Sequence, residues 1–93
     1  MPTTEVRVVN RLGLHARAAA KVVSVASRYQ ASIRIGPEED DLRDARSIMA
    51  LLTLGAGQGS RLQVEAEGEE AEAALEELRT LFDRGFDEYE EET

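Results

Sequence analysis

The chain has 93 residues, no cysteine, one histidine and a formal net charge of −8; this excludes a disulfide framework and a thiolate metal site and argues against a transition-metal centre. Residues 1–64 carry nine Lys/Arg against six Asp/Glu, while residues 65–93 carry two against thirteen, which is not the basic stripe with stacking aromatics that a nucleic-acid binder needs. The length suits one hydrophobic core, and no stretch approaches a membrane span or a leader peptide, so a cytoplasmic protein without membrane insertion is expected.

Glu5-Val6-Arg7-Val8-Val9 alternates apolar and polar residues and predicts a first strand, ended by Asn10-Arg11-Leu12-Gly13. From Ala16 to Ser27 the period becomes helical, with Ala19, Val22, Val23 and Ala26 on one face. Ala31-Ser32-Ile33-Arg34-Ile35 alternates again and stops at Gly36-Pro37. Glu38-Glu39-Asp40-Asp41 reads as a solvated connection, followed by a short third strand around Leu42-Arg43-Asp44-Ala45.

Ser47 is a favourable N-cap for an apolar helix running to Leu54, which Gly55-Ala56-Gly57-Gln58-Gly59 breaks. Arg61-Leu62-Gln63-Val64-Glu65-Ala66-Glu67 is the clearest strand, with Leu62, Val64 and Ala66 on one face. After Gly68, Ala71, Ala74, Leu75, Leu78 and Phe82 form the buried stripe of a long helix that stops at Gly85. The order is βαββαβα. One-face alternation in the strands argues for an antiparallel sheet solvated on one side, hence an α+β, open-faced two-layer sandwich: four strands covered on one face by three helices. A single domain over residues 1–86 and an acidic, mobile tail over residues 87–93 are expected.

The chemistry concentrates at Gly13-Leu14-His15-Ala16-Arg17, which sets the lone imidazole at a helix start with a guanidinium two residues on. Open backbone N–H groups and the positive end of the helix dipole make such a start an anion receptor, and a histidine there can carry a phosphoryl group covalently. The same residue could serve only as an exposed loop histidine or a helix cap. No second titratable group converges on it in the sequence, so a small enzyme with His15 as general base ranks last. Ser47 is read from its position as an N-cap. Ile48, Met49, Leu51, Leu52 and Leu54 cannot all be buried on so short a helix, so part of the set forms an exposed apolar patch.

These residues resemble the HPr family, the histidine phosphocarriers of the bacterial phosphoenolpyruvate-dependent phosphotransferase system. Gly13-Leu14-His15-Ala16-Arg17 matches its active-site pattern, and Ser47-Ile48-Met49 with Leu52 and Leu54 matches its regulatory-serine helix; the likeness runs from about Glu5 to Gly85. One position departs: the commonest family pattern has proline after the arginine, where this chain has Ala18. Gly85-Phe86-Asp87-Glu88 resembles the C-terminus of the nitrogen-related branch, so sugar uptake and a regulatory phosphorelay both stay open.

The resemblance implies a stoichiometric carrier, not an enzyme, and a monomer that needs no cofactor or metal. His15 would accept a phosphoryl group from Enzyme I on Nδ1 and donate it to an EIIA-type protein. Arg17 would neutralise the phosphoryl charge, and the backbone N–H groups of Ala16 and Arg17 would cradle it. Ser47 would be the site of HPr kinase/phosphorylase, and Arg17, Ala20, Ile48 and Leu52 would face partners. The alternative is a regulatory interaction module acting through Ser47 and the apolar patch, without phosphorelay flux.

Overall fold

A computed structural model of the chain describes residues 2–88. Four strands, β1 (Thr3–Arg7), β2 (Ser32–Gly36), β3 (Arg43–Asp44) and β4 (Arg61–Glu67), alternate with three helices, α1 (Ala16–Ser27), α2 (Ile48–Leu52) and α3 (Ala71–Asp83). A short 3-10 turn, Gly85–Asp87, follows α3. The strands form one antiparallel sheet in the order β1-β4-β2-β3, and the fold is the open-faced α+β sandwich expected from the pattern.

The period-2 alternation places the inner face of the sheet. Leu62, Val64 and Ala66 of β4 are buried and stand opposite Val6 of β1, and Ile35 and Ile33 of β2. The helices close over this face with Val22, Ala26, Leu51, Leu78 and Phe82 fully buried. Burial of such side chains is the main favourable contribution to the fold.

Several boundaries differ from the sequence reading. β1 starts at Thr3 and ends at Arg7, because its extent is set by pairing with β4, from Thr3 opposite Glu65 to Arg7 opposite Arg61. Val8 continues inward, but it bonds the turn residues Ser60 and Gly59 (2.8 and 2.7 Å) instead of a strand. The buried face of α1 includes Ala18 and Val25, with Val23 only half-buried, since α1 packs against both α2 and α3. Helix α2 stops at Leu52, two residues short of Leu54, where Gly55 takes φ +63°.

The largest correction concerns the C-terminus. Phe86 is fully buried and meets Phe82 edge to face, with ring centroids 4.8 Å apart. Asp87 and Glu88, assigned to the tail from their acidity, are held against the domain: Arg84 pairs with Asp87, and Glu88 bonds Asn10 and His15. The rest of the expected tail, residues 89–93, lies outside the described residues.

Candidate functional site

The segment between β1 and α1 is pinned before it reaches His15. Gly13 adopts φ +74°, and a Cβ there would lie 2.6 Å from the Ala56 carbonyl oxygen; only glycine fits. The N–H of Leu14 donates to that same carbonyl (2.9 Å), while Asn10 Nδ2 donates to the Gly13 carbonyl (2.8 Å). With Leu14 buried and Gly13 immobilised, His15 is delivered in extended geometry (φ −84°, ψ −176°) as the N-cap of α1. Its carbonyl accepts the first helical bond from the Ala19 N–H at 2.8 Å.

At the cap the imidazole is gripped on both nitrogens. Nδ1 accepts from the backbone N–H of Arg17 at 3.2 Å. Nε2 hydrogen-bonds Oε2 of Glu88. The other carboxylate oxygen of Glu88 accepts from Asn10 Nδ2 at 2.9 Å. Burial works against the charge of Glu88, but the hydrogen bonds from Asn10 and His15, with the charges of His15 and Lys21, outweigh it and hold the carboxyl below the usual range.

The N–H groups of Ala16 and Ala18 have no partner among the described residues, as expected for the first turn of a helix. Ala16 and Arg17 are exposed, and the Arg17 guanidinium makes no hydrogen bond or ion pair with the described residues. An anion arriving at Nδ1 would therefore meet open N–H donors, the positive end of α1 and an exposed guanidinium. The described residues contain no group of His, Asp and Glu arranged to hold a metal, and no helix among them is long and apolar enough to cross a membrane.

Ser47 caps α2: its Oγ accepts from the Ala50 N–H at 3.1 Å. Leu51 is the fully buried residue of this helix, Leu52 and Leu54 are half-buried, and Ile48 and Met49 are 39% and 69% exposed. Ala20 is exposed on α1, which packs against α2. The apolar exposure extends to Val9 and Leu12 in the segment leading to His15. These two, with Asn10, Lys21 and Glu88, were not singled out from the sequence. A signal for the last existed: an aromatic directly after a C′ glycine often packs back on its helix, and Phe86 so placed carries Glu88 toward α1.

The family model described as "PTS HPr component phosphorylation site" matches residues 2–84. The chain is 47% identical over 90 residues to the phosphocarrier protein HPr of Pseudomonas aeruginosa, covering 97% of this chain and all of that one. It is 37% identical over 83 residues to the phosphocarrier protein NPr of Escherichia coli, covering 89% and 92% of the two chains. Among solved structures, HPr-C-His from Thermoanaerobacter tengcongensis superposes with a TM-score of 0.88 at 34% identity, over 96% of this chain and 99% of that one.

Proposed function

The chain belongs to the HPr family of phosphotransferase-system phosphocarriers, and on that premise we propose that His15 is its phosphoryl acceptor and donor. The observation that carries this reading is the placement of His15 Nδ1 at the N-cap of α1, facing the Arg17 N–H. In the transfer, the Nδ1 lone pair attacks phosphorus, and the bond from phosphorus to the donor atom breaks with its electron pair leaving on the donor. The Arg17 N–H then turns from Nδ1 to a phosphoryl oxygen, joined by the open N–H of Ala16. The Arg17 guanidinium closes over the group as a fork of donors.

In this reading the donor is Enzyme I, charged from phosphoenolpyruvate, the acceptor is an EIIA-type protein, and the exchange occurs in the cytoplasm. Ala20, Ile48 and Leu52 contribute with Arg17 to the docking face, supported by the exposure of Ala20 and Ile48. Ser47 is the regulatory site for HPr kinase/phosphorylase: a phosphate on Oγ would set two negative charges beside Ile48 and Met49 and oppose docking.

Incubation with Enzyme I and phosphoenolpyruvate should yield an acid-labile adduct that maps to His15, passes to an EIIA-type protein and is absent from His15→Ala. Label on another residue, or none, would remove the reading and leave the interaction module acting through Ser47 and the apolar patch.

A further inference from the structure

His15 faces Glu88, a residue 73 positions away, outside both motifs and beyond the end of α3. The two partners of the ring are chemically one-sided. A backbone N–H only donates, so Nδ1, which faces the Arg17 N–H at 3.2 Å, presents its lone pair. An ionised carboxylate only accepts, so Nε2, which faces Glu88, carries the hydrogen. Together they leave the neutral ring a single tautomer, with the nucleophilic lone pair on the nitrogen that opens toward the helix start.

We propose that Glu88 is a positioning residue for phosphoryl transfer: it holds the Nε2–H of His15 and balances the positive charge on the ring while the phosphoryl group occupies Nδ1. The inference rests on the His15 reading above. When Nδ1 attacks, no proton need leave. The new N–P bond makes the ring an Nδ1-phosphoryl imidazolium whose Nε2–H stays on the Glu88 carboxylate. In donation the N–P bond breaks, its electron pair returns to Nδ1, and the ring leaves as neutral imidazole. A ring that had lost its Nε2 proton would have to leave as an anion, a far poorer leaving group. Carboxylates paired with the second nitrogen of a working histidine commonly fill this orienting role.

The surroundings of Glu88 are built to place it. Gly85, Phe86 and Asp87 take φ of +61°, +58° and +63°, a left-handed run that includes two non-glycine residues. Such backbone persists only where neighbours impose it. Here Phe86 is buried against Phe82, its carbonyl accepts from Lys21 Nζ (2.5 Å), and Arg84 pairs with Asp87. Asn10 completes the mount, joining Glu88 to the Gly13 carbonyl in the segment that delivers His15.

The test compares the wild type with Glu88→Gln and Glu88→Ala, each phosphorylated through Enzyme I and phosphoenolpyruvate. Nitrogen-15 NMR of the phosphorylated ring and the rate of donation to an EIIA-type protein are followed against pH. We expect the phosphorylated ring to lose its Nε2 proton at lower pH in both variants, and donation at neutral pH to slow by about tenfold, with thermal stability checked in parallel. A variant set whose ring titrates at the wild-type pH, or whose donation stays within about twofold of wild type, overturns the role of Glu88; a purely structural tether would leave the ring titration unmoved. Failure of the wild type to take up phosphate on His15 instead overturns the underlying reading, so the two failures are distinguishable.

Discussion

Asn10 and Glu88, 78 residues apart in sequence, are joined by an Nδ2–H···Oε1 hydrogen bond of 2.9 Å. The same Asn10 nitrogen holds the Gly13 carbonyl, so the end of the described chain and the segment before α1 share one fastening. This fastening depends on pH through the carboxylate. Glu88 is held below the usual carboxylate range despite burial, and Glu77 likewise, first by the Tyr29 hydroxyl, with burial opposing and Arg28 assisting. A carboxyl whose folded value is depressed binds fewer protons in the folded state, so its stabilisation is complete above the ordinary value of about 4.3 and is lost as pH falls through the folded one. Thermal melts should therefore show Glu88→Gln below wild type at pH 7 and the two converging toward pH 3. Parallel curves across that range would contradict the coupling.

Arg17 serves the site through two separate groups. Its backbone N–H meets His15 Nδ1, whereas its exposed guanidinium forms no hydrogen bond or ion pair with the described residues. Arg17→Ala keeps the first and removes the second. Its melting temperature should stay near wild type, as for other exposed substitutions. Phosphoryl transfer should fall by about a hundredfold to a thousandfold, the scale for losing one donor to developing charge. Arg17→Lys should recover only part of the rate, because an ammonium lacks the planar fork. Single-turnover transfer kinetics separate the three proteins.

Ala18 stands where the commonest family pattern has proline. Its N–H has no partner among the described residues and lies in the first turn of α1, so a proline there sacrifices no hydrogen bond and suits the helical φ. Ala18→Pro should raise stability by about 0.4–1 kcal/mol through the narrower unfolded ensemble. That corresponds to a melting temperature higher by about 2–8 °C in a domain of this size. A lower melting temperature would mean that the ring collides with the core around this fully buried position.

Ser47 is a working N-cap whatever modifies it, since its Oγ accepts the Ala50 N–H. Ser47→Ala should cost about 1 kcal/mol, and Ser47→Asp, which still caps, much less. If the added charge opposes docking, Ser47→Asp should nevertheless weaken association with Enzyme I while folding like wild type. Calorimetric titration of Enzyme I with each variant checks this; equal affinities for Ser47→Asp and wild type would detach Ser47 from regulation.

Most of the fold was legible because the elements that build it carry strong periodicity. β4 and α1 occur at their expected bounds, residues 61–67 and 16–27, since alternation and helical spacing are uninterrupted there. The start of the site was legible too: His15 precedes a helix, and a helix start has one electrostatic character. What could not be read is contact between distant segments. Nothing local in Glu88 separates it from the acidic residues around it; its role comes from a left-handed turn and from Phe86 finding a place beside Phe82. For the same reason no second titratable group converges on His15 in sequence, whereas folding brings one into hydrogen-bond contact. Arg46 was hidden likewise: its Nη2 gathers the carbonyls of Ala26, Tyr29 and Ala31 after the fold closes.

Phe86 then separates the anchoring of this last segment from its chemistry. Its ring is fully buried, and it precedes Glu88 by two residues. Phe86→Ala should cost about 3–5 kcal/mol, the transfer term plus the cavity left against Phe82. Phe86→Leu keeps most of the volume and should cost less, about 1.5 kcal/mol or below if the site repacks. The two variants also differ in what they do to His15. Once Phe86 no longer fills its site, the left-handed turn keeps only the Lys21 and Arg84 contacts, and the carboxylate of Glu88 is expected to be released from the ring; Phe86→Leu retains the anchor. Amide hydrogen exchange at residues 85–88 should therefore accelerate sharply in Phe86→Ala and little in Phe86→Leu, with the ring nitrogen signals of His15 changing only in the former. Unchanged ring signals in Phe86→Ala would mean that Asn10 and Lys21 hold Glu88 in place without the aromatic anchor.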